Sequence, residues 1–329
     1  MEADKELNKE WHPVAFSKDV GDQPVGAVIM DERIVVFRTS DGVKALKDLC
    51  IHRGAALSLG KVVGDEIVCP YHGWRYDGSG YCKLIPQQPA SRAISPKARA
   101  FPYTCKEAHG IVWVCLDGQY ASTLPNYPEF EDPSYKTVHC GPYELEAFVP
   151  RVVENFLDVG HLAFLHEGYL GDPTSPEISD YKVYNLENSI ISEEIAVYQP
   201  DPDGRGKAVT THYIYEILSP TVARLKKKDP GTQEVFSMLF AVLPQGELSS
   251  KVFINVSRNY AFDIEDKHFQ DFQELIINQD GSVLESQRPE LLPLDLQAEL
   301  HLPSDRMSIA YRKWLKERNV KWGTSQTTE

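Results

Sequence analysis

The chain has 329 residues, 42% hydrophobic and 25% charged, with a formal net charge of −14. That length allows two domains, each with its own core, and the composition excludes a disordered or fibrous chain. The acidic balance argues against nucleic acid or an anionic membrane as partner; its plain reading is solubility, although it also suits a basic redox partner.

The N-terminal stretch "MEADKELNKEWHPV" is charged and lacks an apolar h-region, and no apolar run approaches the ~20 residues of a membrane span. The expected compartment is therefore cytoplasmic, with no membrane partner, and the six Cys are expected as thiols or metal ligands. "VGAVIM" (25–30), "RIVVFRT" (33–39) and "IVWVCL" (111–116) read as strands, separated by turn signals at 31–32, 41–42 and 109–110. Residues 87–103 read as a loop, and the Pro- and Gly-interrupted segment 117–135 reads as the linker between domains. "EAFVPRVVENFLDVGHLAFLHEGYLG" (146–171) is expected helical from Val152, with Pro150 near its start. Strands are expected at 208–218, 234–244 and 250–262, with a hairpin turn over 201–206. Helices are expected at 263–287 and 304–319, followed by a frayed tail at 323–329. The fold class is α+β: a small all-β domain over 1–140, then an antiparallel sheet gripped by helices over 141–329.

"CIHRGAALSLGKVVGDEIVCPYHGW" (50–74) holds Cys50, His52, Cys69 and His72 as C-x-H, sixteen residues, then C-x-x-H. Three readings compete. Chance would leave ordinary core residues. A Cys₂His₂ zinc site usually takes both Cys from one knuckle and both His from one helix, and here each loop offers one of each. A Rieske [2Fe–2S] centre needs two thiolates on one iron and two imidazoles on the other, which suits one ligand of each kind per loop. Gly54, Gly64 and Gly73 permit tight turns, and Pro70, Tyr71 and Trp74 are placed to shield a cluster from water. Cys82, Cys105, Cys115 and Cys140 are expected as buried thiols.

A Rieske cluster needs only the first third of the chain. In the remainder, "ENFLDVGHLAFLH" carries Glu154, Asn155, Asp158, His161 and His166. Asp158 and His161 share a face if the segment is helical. His161 and His166 are five apart, about 140° on a regular helix, so both reach one metal only if the helix ends, bends or bulges between them. Two His and a carboxylate form the facial triad of non-haem Fe(II) oxygenases. The carboxylate is sought in "FQDFQELIINQDGSVLESQ", where the apolar stripe Phe269, Phe272, Ile276, Val283 places Asp280 on the buried side. A lone ionised carboxylate there is costly unless paired or metal-bound. Glu285 lies off the stripe, and a helix break near Gly281 would make Asp280 an N-cap instead. Phe236, Met238 and Phe240 on one strand, with Asn255 and Ser257 on another, are candidate pocket walls.

Both stretches resemble those of the Rieske non-haem iron oxygenases: the Rieske motif at 50–74, and the catalytic-domain pattern "ENFLDVGHLAFLH" followed by "QDGSVLESQRP". The chain length resembles the short single-subunit type, such as phthalate dioxygenase and the vanillate and dicamba demethylases. "HLPSDRMSIAYRKWLKE" resembles the hydroxylases that tailor saxitoxin-type alkaloids. The resemblance implies that Cys50 and Cys69 bind one iron of the cluster and His52 and His72 the other. It implies that His161, His166 and Asp280 bind a mononuclear Fe(II). Asp158 would bridge His161 to a Rieske His, expected to be His72, of a neighbouring subunit in a ring of three, with Asn155 supporting the site. It implies monooxygenation, by hydroxylation or oxidative demethylation, of a small and mostly apolar cyclic substrate, using O₂. The electrons would come from NAD(P)H through a separate reductase, with or without a ferredoxin. No Gly-rich dinucleotide fingerprint appears in the chain itself. Ring cis-dihydroxylation, an electron carrier without oxygen chemistry and a zinc-stabilised binding module are the alternatives.

Overall fold

The computed structural model describes residues 4–326. It divides into two compact units, one spanning Asn8–Thr123 and the other running from Leu124 onward together with the residues up to Leu7. Strand β11 (Lys136–Leu145) lies wholly in the second unit and begins ahead of residue 141.

The first unit is built of strands. β1 (His12–Phe16), β2 (Val25–Ile29), β3 (Glu32–Thr39), β4 (Gly42–Lys47), β9 (Pro102–Ala108) and β10 (Ile111–Cys115) form one antiparallel sheet in the order β1-β10-β9-β4-β3-β2. β3 buries Ile34, Val35, Val36 and Phe37 in succession, the mark of a strand covered on both faces. Four short strands, β5 (Lys61–Val63), β6 (Glu66–Val68), β7 (Arg75–Asp77) and β8 (Cys82–Leu84), make a second sheet in sequential order. Val35, Phe37 and Leu46 share one core with Ile67, Tyr76 and Cys82, and Cys50 and Cys69 are part of it. Three-residue strands carry no readable alternation, so the second sheet escaped the sequence. So did β9, whose first residues fall at the end of the segment read as loop.

The second unit begins with α1 (Pro128–Glu131) and centres on an eight-stranded antiparallel sheet. Its strands are β11, β12 (Val183–Asn185), β13 (Ile190–Ser192), β14 (Ile195–Gln199), β15 (Val209–Ser219), β16 (Val222–Lys228), β17 (Val235–Gly246) and β18 (Ser249–Arg258). The order is β11-β18-β17-β16-β15-β13-β12, with β14 also paired to β15. In β15, "THYIYEILS" alternates strictly between buried and half-buried from Thr211 onward, so one face meets a core. β16, "VARLKKK", was not expected from the sequence because its second half is basic.

Helices α2 (Val149–Leu157), α3 (Leu162–Leu165), α4 (Asp266–Leu284) and α5 (Arg306–Glu317) complete the unit. α2 starts with Pro150 in its first turn, where the missing N–H costs nothing. α4 buries Phe269, Phe272, Gln273, Ile277, Asp280 and Leu284. The stripe therefore continues to Leu284, while Val283 is 40% exposed. Thr324–Ser325 pairs with Leu292–Pro293, so this part of the tail is held rather than frayed; residues 327–329 lie outside the described residues. No described helix is long and apolar enough to cross a membrane.

Candidate metal centres

The two Rieske-like loops close in the same way. The Cys50 N–H donates to the Ala55 carbonyl and the Gly54 N–H to the Cys50 carbonyl, at 2.8 and 2.9 Å. The Cys69 N–H donates to the Trp74 carbonyl and the Gly73 N–H to the Cys69 carbonyl, at 2.8 and 3.0 Å. Gly54 and Gly73 sit at φ +73° and +72°, a conformation that a Cβ would strain. Each turn thus presents one thiol and one imidazole from a loop five residues round. The rings of His52 and His72 meet edge-on at 4.5 Å. Trp74 stacks on His52 at 4.6 Å and 5°, and Tyr71, 65% exposed, covers His72 at 3.9 Å.

These residues fit a cluster on their own chemistry. His52 Nδ1 is buried with no hydrogen-bond partner, a position that suits a metal donor. Burial pushes the Cys69 thiol up, so a bound metal is what would displace its proton to solvent and hold the thiolate. The Tyr76 hydroxyl lies 3.1 Å from Cys50 Sγ, the kind of contact that tunes an iron–sulfur potential. A single zinc would gather all four donors within about 4 Å of one another. Among the described residues, the one set of three donors within 4.8 Å is instead His161, His166 and Asp280. Cys82, Cys115 and Cys140 are buried thiols outside any disulfide, and Cys105 is half-buried.

That second set forms because α2 ends. Asp158 is its C-cap, in extended conformation (φ −82°, ψ 118°), and a short turn leads to α3. Asp158 and His161 are therefore not on one helix face; the turn brings them together, with His161 Nδ1 3.3 Å from Asp158 Oδ2. The break also swings His166 round to His161, whose Nε2 atoms are 3.2 Å apart. Asp280 Oδ1 lies 3.2 Å from His166 Nε2 and 3.6 Å from His161 Nε2. Three ligands sharing one face of an ion at about 2.1 Å lie about 3 Å apart, so this triangle fits. α4 is unbroken through Gly281, so Asp280 is a buried mid-helix carboxylate and not an N-cap. Glu285 is exposed and accepts from the Glu146 N–H.

The nitrogens facing away from the triangle are gripped. Burial opposes a charge on His161, but Asp158, then Asp280, outweigh it and hold the imidazole above its usual value. Burial would raise the Asp158 carboxyl, but His161 and the Gly160 N–H hold it below the usual range. Gln279 Oε1 accepts from His166 Nδ1 at 2.8 Å, which makes Nε2 the free donor atom. Asn155 Nδ2 donates to Asp280 Oδ1 at 3.2 Å. Gln279 had no signal in the sequence beyond its place beside Asp280. Glu154, in the same polar run, turns away to a buried ion pair with Arg312.

The triangle opens onto a cavity of about 630 Å³, mouth included, between α2, α4 and one face of the sheet. Phe156, Tyr215, Leu225, Met238, Phe240 and Ile254 form its apolar walls. Met238 and Phe240 were expected there. Phe236 lines a smaller neighbouring cavity instead. Asn255 and Ser257 are on the opposite face of β18, where they bond His139 and Thr137.

Residues 10–106 match the family model "Rieske [2Fe-2S] domain", and residues 145–319 match "Vanillate O-demethylase oxygenase C-terminal domain". The chain is 32% identical over 325 residues to methylxanthine N1-demethylase NdmA of Pseudomonas putida, covering 94% of this chain and 89% of that one. The NdmA structure with caffeine superposes with a TM-score of 0.85 at 29% identity, covering 95% of this chain and 91% of that one. Dicamba monooxygenase bound to dicamba shares the fold, with a TM-score of 0.83 at 21% identity over 96% of this chain and 98% of that one.

Proposed function

This chain belongs to the Rieske non-haem iron oxygenases, with a catalytic domain of the vanillate O-demethylase type, and on that premise we propose that it oxidatively demethylates or hydroxylates a small cyclic compound held in the cavity over the sheet. The observation that carries the reading is the triangle of His161 Nε2, His166 Nε2 and Asp280 Oδ1 opening onto that cavity. On this reading those three residues hold Fe(II), and Cys50, Cys69, His52 and His72 hold the cluster. When bound, the cluster supplies single electrons and the ferrous ion supplies a place to reduce O₂ beside the substrate.

The chain's own residues do the rest. Asp158 and Gln279 fix the two imidazoles so that both Nε2 lone pairs point inward. Asn155 holds the Asp280 oxygen in the triangle. Phe156, stacked on Phe240 at 4.3 Å, and Tyr215 exclude water and offer flat apolar surface to a ring. In the demethylation, one atom of O₂ enters a methyl C–H bond. The other leaves as water, taking two protons and two electrons. The hydroxymethyl product then breaks its C–N or C–O bond, passing the hydroxyl proton to that nitrogen or oxygen and releasing formaldehyde. Methylxanthine demethylases act at ring N-methyl groups by name, and an N- or O-methylated ring is the substrate class proposed for this chain.

The electrons come from a reductase that oxidises a nicotinamide cofactor, directly or through a ferredoxin. The assembly proposed is a homotrimer, in which Asp158 of one copy meets His72 of the next; Asp158 is 34% exposed on its side chain, as such a contact needs. The proposed compartment is cytoplasmic. The test is EPR of dithionite-reduced protein with metal analysis. A rhombic Rieske signal with about three irons and about two sulfides per chain is expected, and a signal with about two irons even after Fe(II) addition would overturn the oxygenase reading in favour of an electron carrier. Reconstitution with a reductase should then release formaldehyde from a methylated ring compound.

A further inference from the structure

The cavity over the sheet is lined by one cationic residue that the chemistry above leaves unused. Lys227 lies on β16 between Tyr213 of β15 and Phe236 of β17, and is 6% exposed. Its side chain lines the main cavity and the smaller one beside it. The ammonium sits 4.4 Å from the Phe236 ring centroid and donates to the Pro202 carbonyl at 2.9 Å. That bond uses one of its three N–H groups. Among the described residues, no carboxylate oxygen comes within 4.0 Å of it. The nearby Asp203 carboxylate is taken by both Arg205, at 3.0 and 2.8 Å, and the Tyr260 hydroxyl, at 2.6 Å. A buried ammonium with no carboxylate in contact is costly, and an anion brought to it recovers part of that cost. The Tyr213 hydroxyl accepts from Gln199 Nε2 at 2.7 Å, and that amide also donates to the Leu170 carbonyl at 2.9 Å, so this hydroxyl sits by the segment that follows His166.

The Lys227 ammonium is held toward the start of α4, away from Asp280. The loop that accepts from Lys227 packs on the start of α4, where the Asp203 carbonyl meets His268 Nε2 at 3.0 Å and Gly204 abuts Phe272. His268 and Phe272 precede Asp280 by twelve and eight residues, roughly 12–18 Å along the helix at 1.5 Å per residue. The apolar walls fill the space between. The pocket thus has the metal triangle at one end, flat apolar walls, and a cation where it meets the smaller cavity.

We propose that Lys227 anchors a carboxylate at the end of the substrate remote from the oxidised carbon, so that the site selects methylated ring acids over neutral rings. The inference rests on this cavity being the oxygenase's substrate site. The competing role for Lys227 is purely structural, as one more cation beside the Asp203, Arg205 and Glu234 cluster.

The test is anaerobic titration calorimetry on protein loaded with cluster and Fe(II). The probes are 3- and 4-methoxybenzoate and 1-methylindole-carboxylates, each against its own carboxamide. At least one acid should bind more tightly than its carboxamide by about tenfold or more, the size expected of a charge-assisted contact. Lys227→Met should erase that preference while the carboxamide still binds, and Lys227→Arg should keep part of it. The inference is overturned if no acid outbinds its carboxamide in the wild type, or if the preference survives Lys227→Met. The wild-type comparison decides even if the Met variant fails to fold. Failure of the demethylase reading would look different: acids would bind, yet release no formaldehyde with a reductase present.

Discussion

Asp280 and Asp158 stand within one side chain of each other's histidine, yet the geometry gives them separate work. Asp280 Oδ1 is a corner of the triangle, and Asp158 touches only the far nitrogen of His161. Asp280→Ala should therefore drop iron from about three to about two atoms per chain while the Rieske EPR signal stays unchanged. Asp158→Asn should keep all the iron and lose most turnover. Iron lost from the Asn variant would make Asp158 a ligand and undo the assignment. Gln279→Leu should weaken Fe(II) binding by about 10–100-fold, because His166 then loses the acceptor that fixes its tautomer. Lys227 makes a prediction of another kind. Burial lowers it from 10.5 to about 8, with Asp203 and Asp201 opposing. The folded state therefore binds fewer protons than the unfolded state between these values, so stability should rise with pH across that window. Arg205 and Tyr260 already engage Asp203, and burial pushes Tyr213 ionisation beyond the window, so Lys227 is the group that titrates there. Wild type should gain roughly 2–3 kcal/mol relative to Lys227→Met between pH 7 and pH 10.5. A difference that stays flat would mean an ordinary lysine. The four residues proposed as Rieske ligands stood out because their spacing within two short loops is itself the signal. Lys227 was not: three consecutive lysines look alike until the register of β16 sends the middle one inward.

At the scale of elements, the site depends on where helices stop. α2 must end at Leu157 for His161 and His166 to converge, and the sequence showed that a break was needed without showing its form. No strong breaker stands at Asp158, and what holds α2 in place is remote. Its Glu154 is paired twice by Arg312 of α5, and Arg312 and Arg151 share Glu299 from the intervening loop. Burial pushes the Glu154 carboxyl up, although Arg312 opposes, so the pair is held by geometry at real desolvation cost. Arg312→Met should destabilise the protein by about 3–5 kcal/mol, because it strands a buried carboxylate. Adding Glu154→Met should restore at least half of that loss. Calorimetry that finds the double variant as unstable as the single one would assign the cost to lost packing instead. The long strands β15, β17 and β18 were readable because β15 alternates over many residues and β17 and β18 are rich in apolar residues along most of their length. β16 and the short first-unit strands were not, since their partners rather than their composition decide them. The same limit moved the α4 stripe from Val283 to Leu284, a one-residue shift that tertiary contact alone resolves.

For the whole molecule, the chain carries both proposed sets of ligands, and the trimer proposal says that one copy's cluster serves the next copy's cavity. A single sequence cannot reveal that arrangement, because no residue pattern records a contact with a second copy. Two crippled variants can. Cys69→Ala removes a cluster ligand and leaves the triangle intact; Asp280→Ala removes a corner of the triangle and leaves the cluster loops intact. Each alone should be inactive. Co-assembled at random in a ring, they should recover about a quarter of wild-type turnover, since half the subunits keep the triangle and half of their neighbours keep the cluster. If each subunit worked by itself, the mixture would be dead. Asp158 then gives the direction. It lies beside its own His161 and would reach His72 of the neighbour, so it matters only on the subunit whose triangle is intact. Asp158→Asn placed on the Cys69→Ala copy should abolish the recovered turnover, and the same change on the Asp280→Ala copy should leave it untouched. Equal loss from both placements would show Asp158 to be a general structural residue, and an inactive mixture would remove the ring of three while leaving each subunit's metal ligands as assigned.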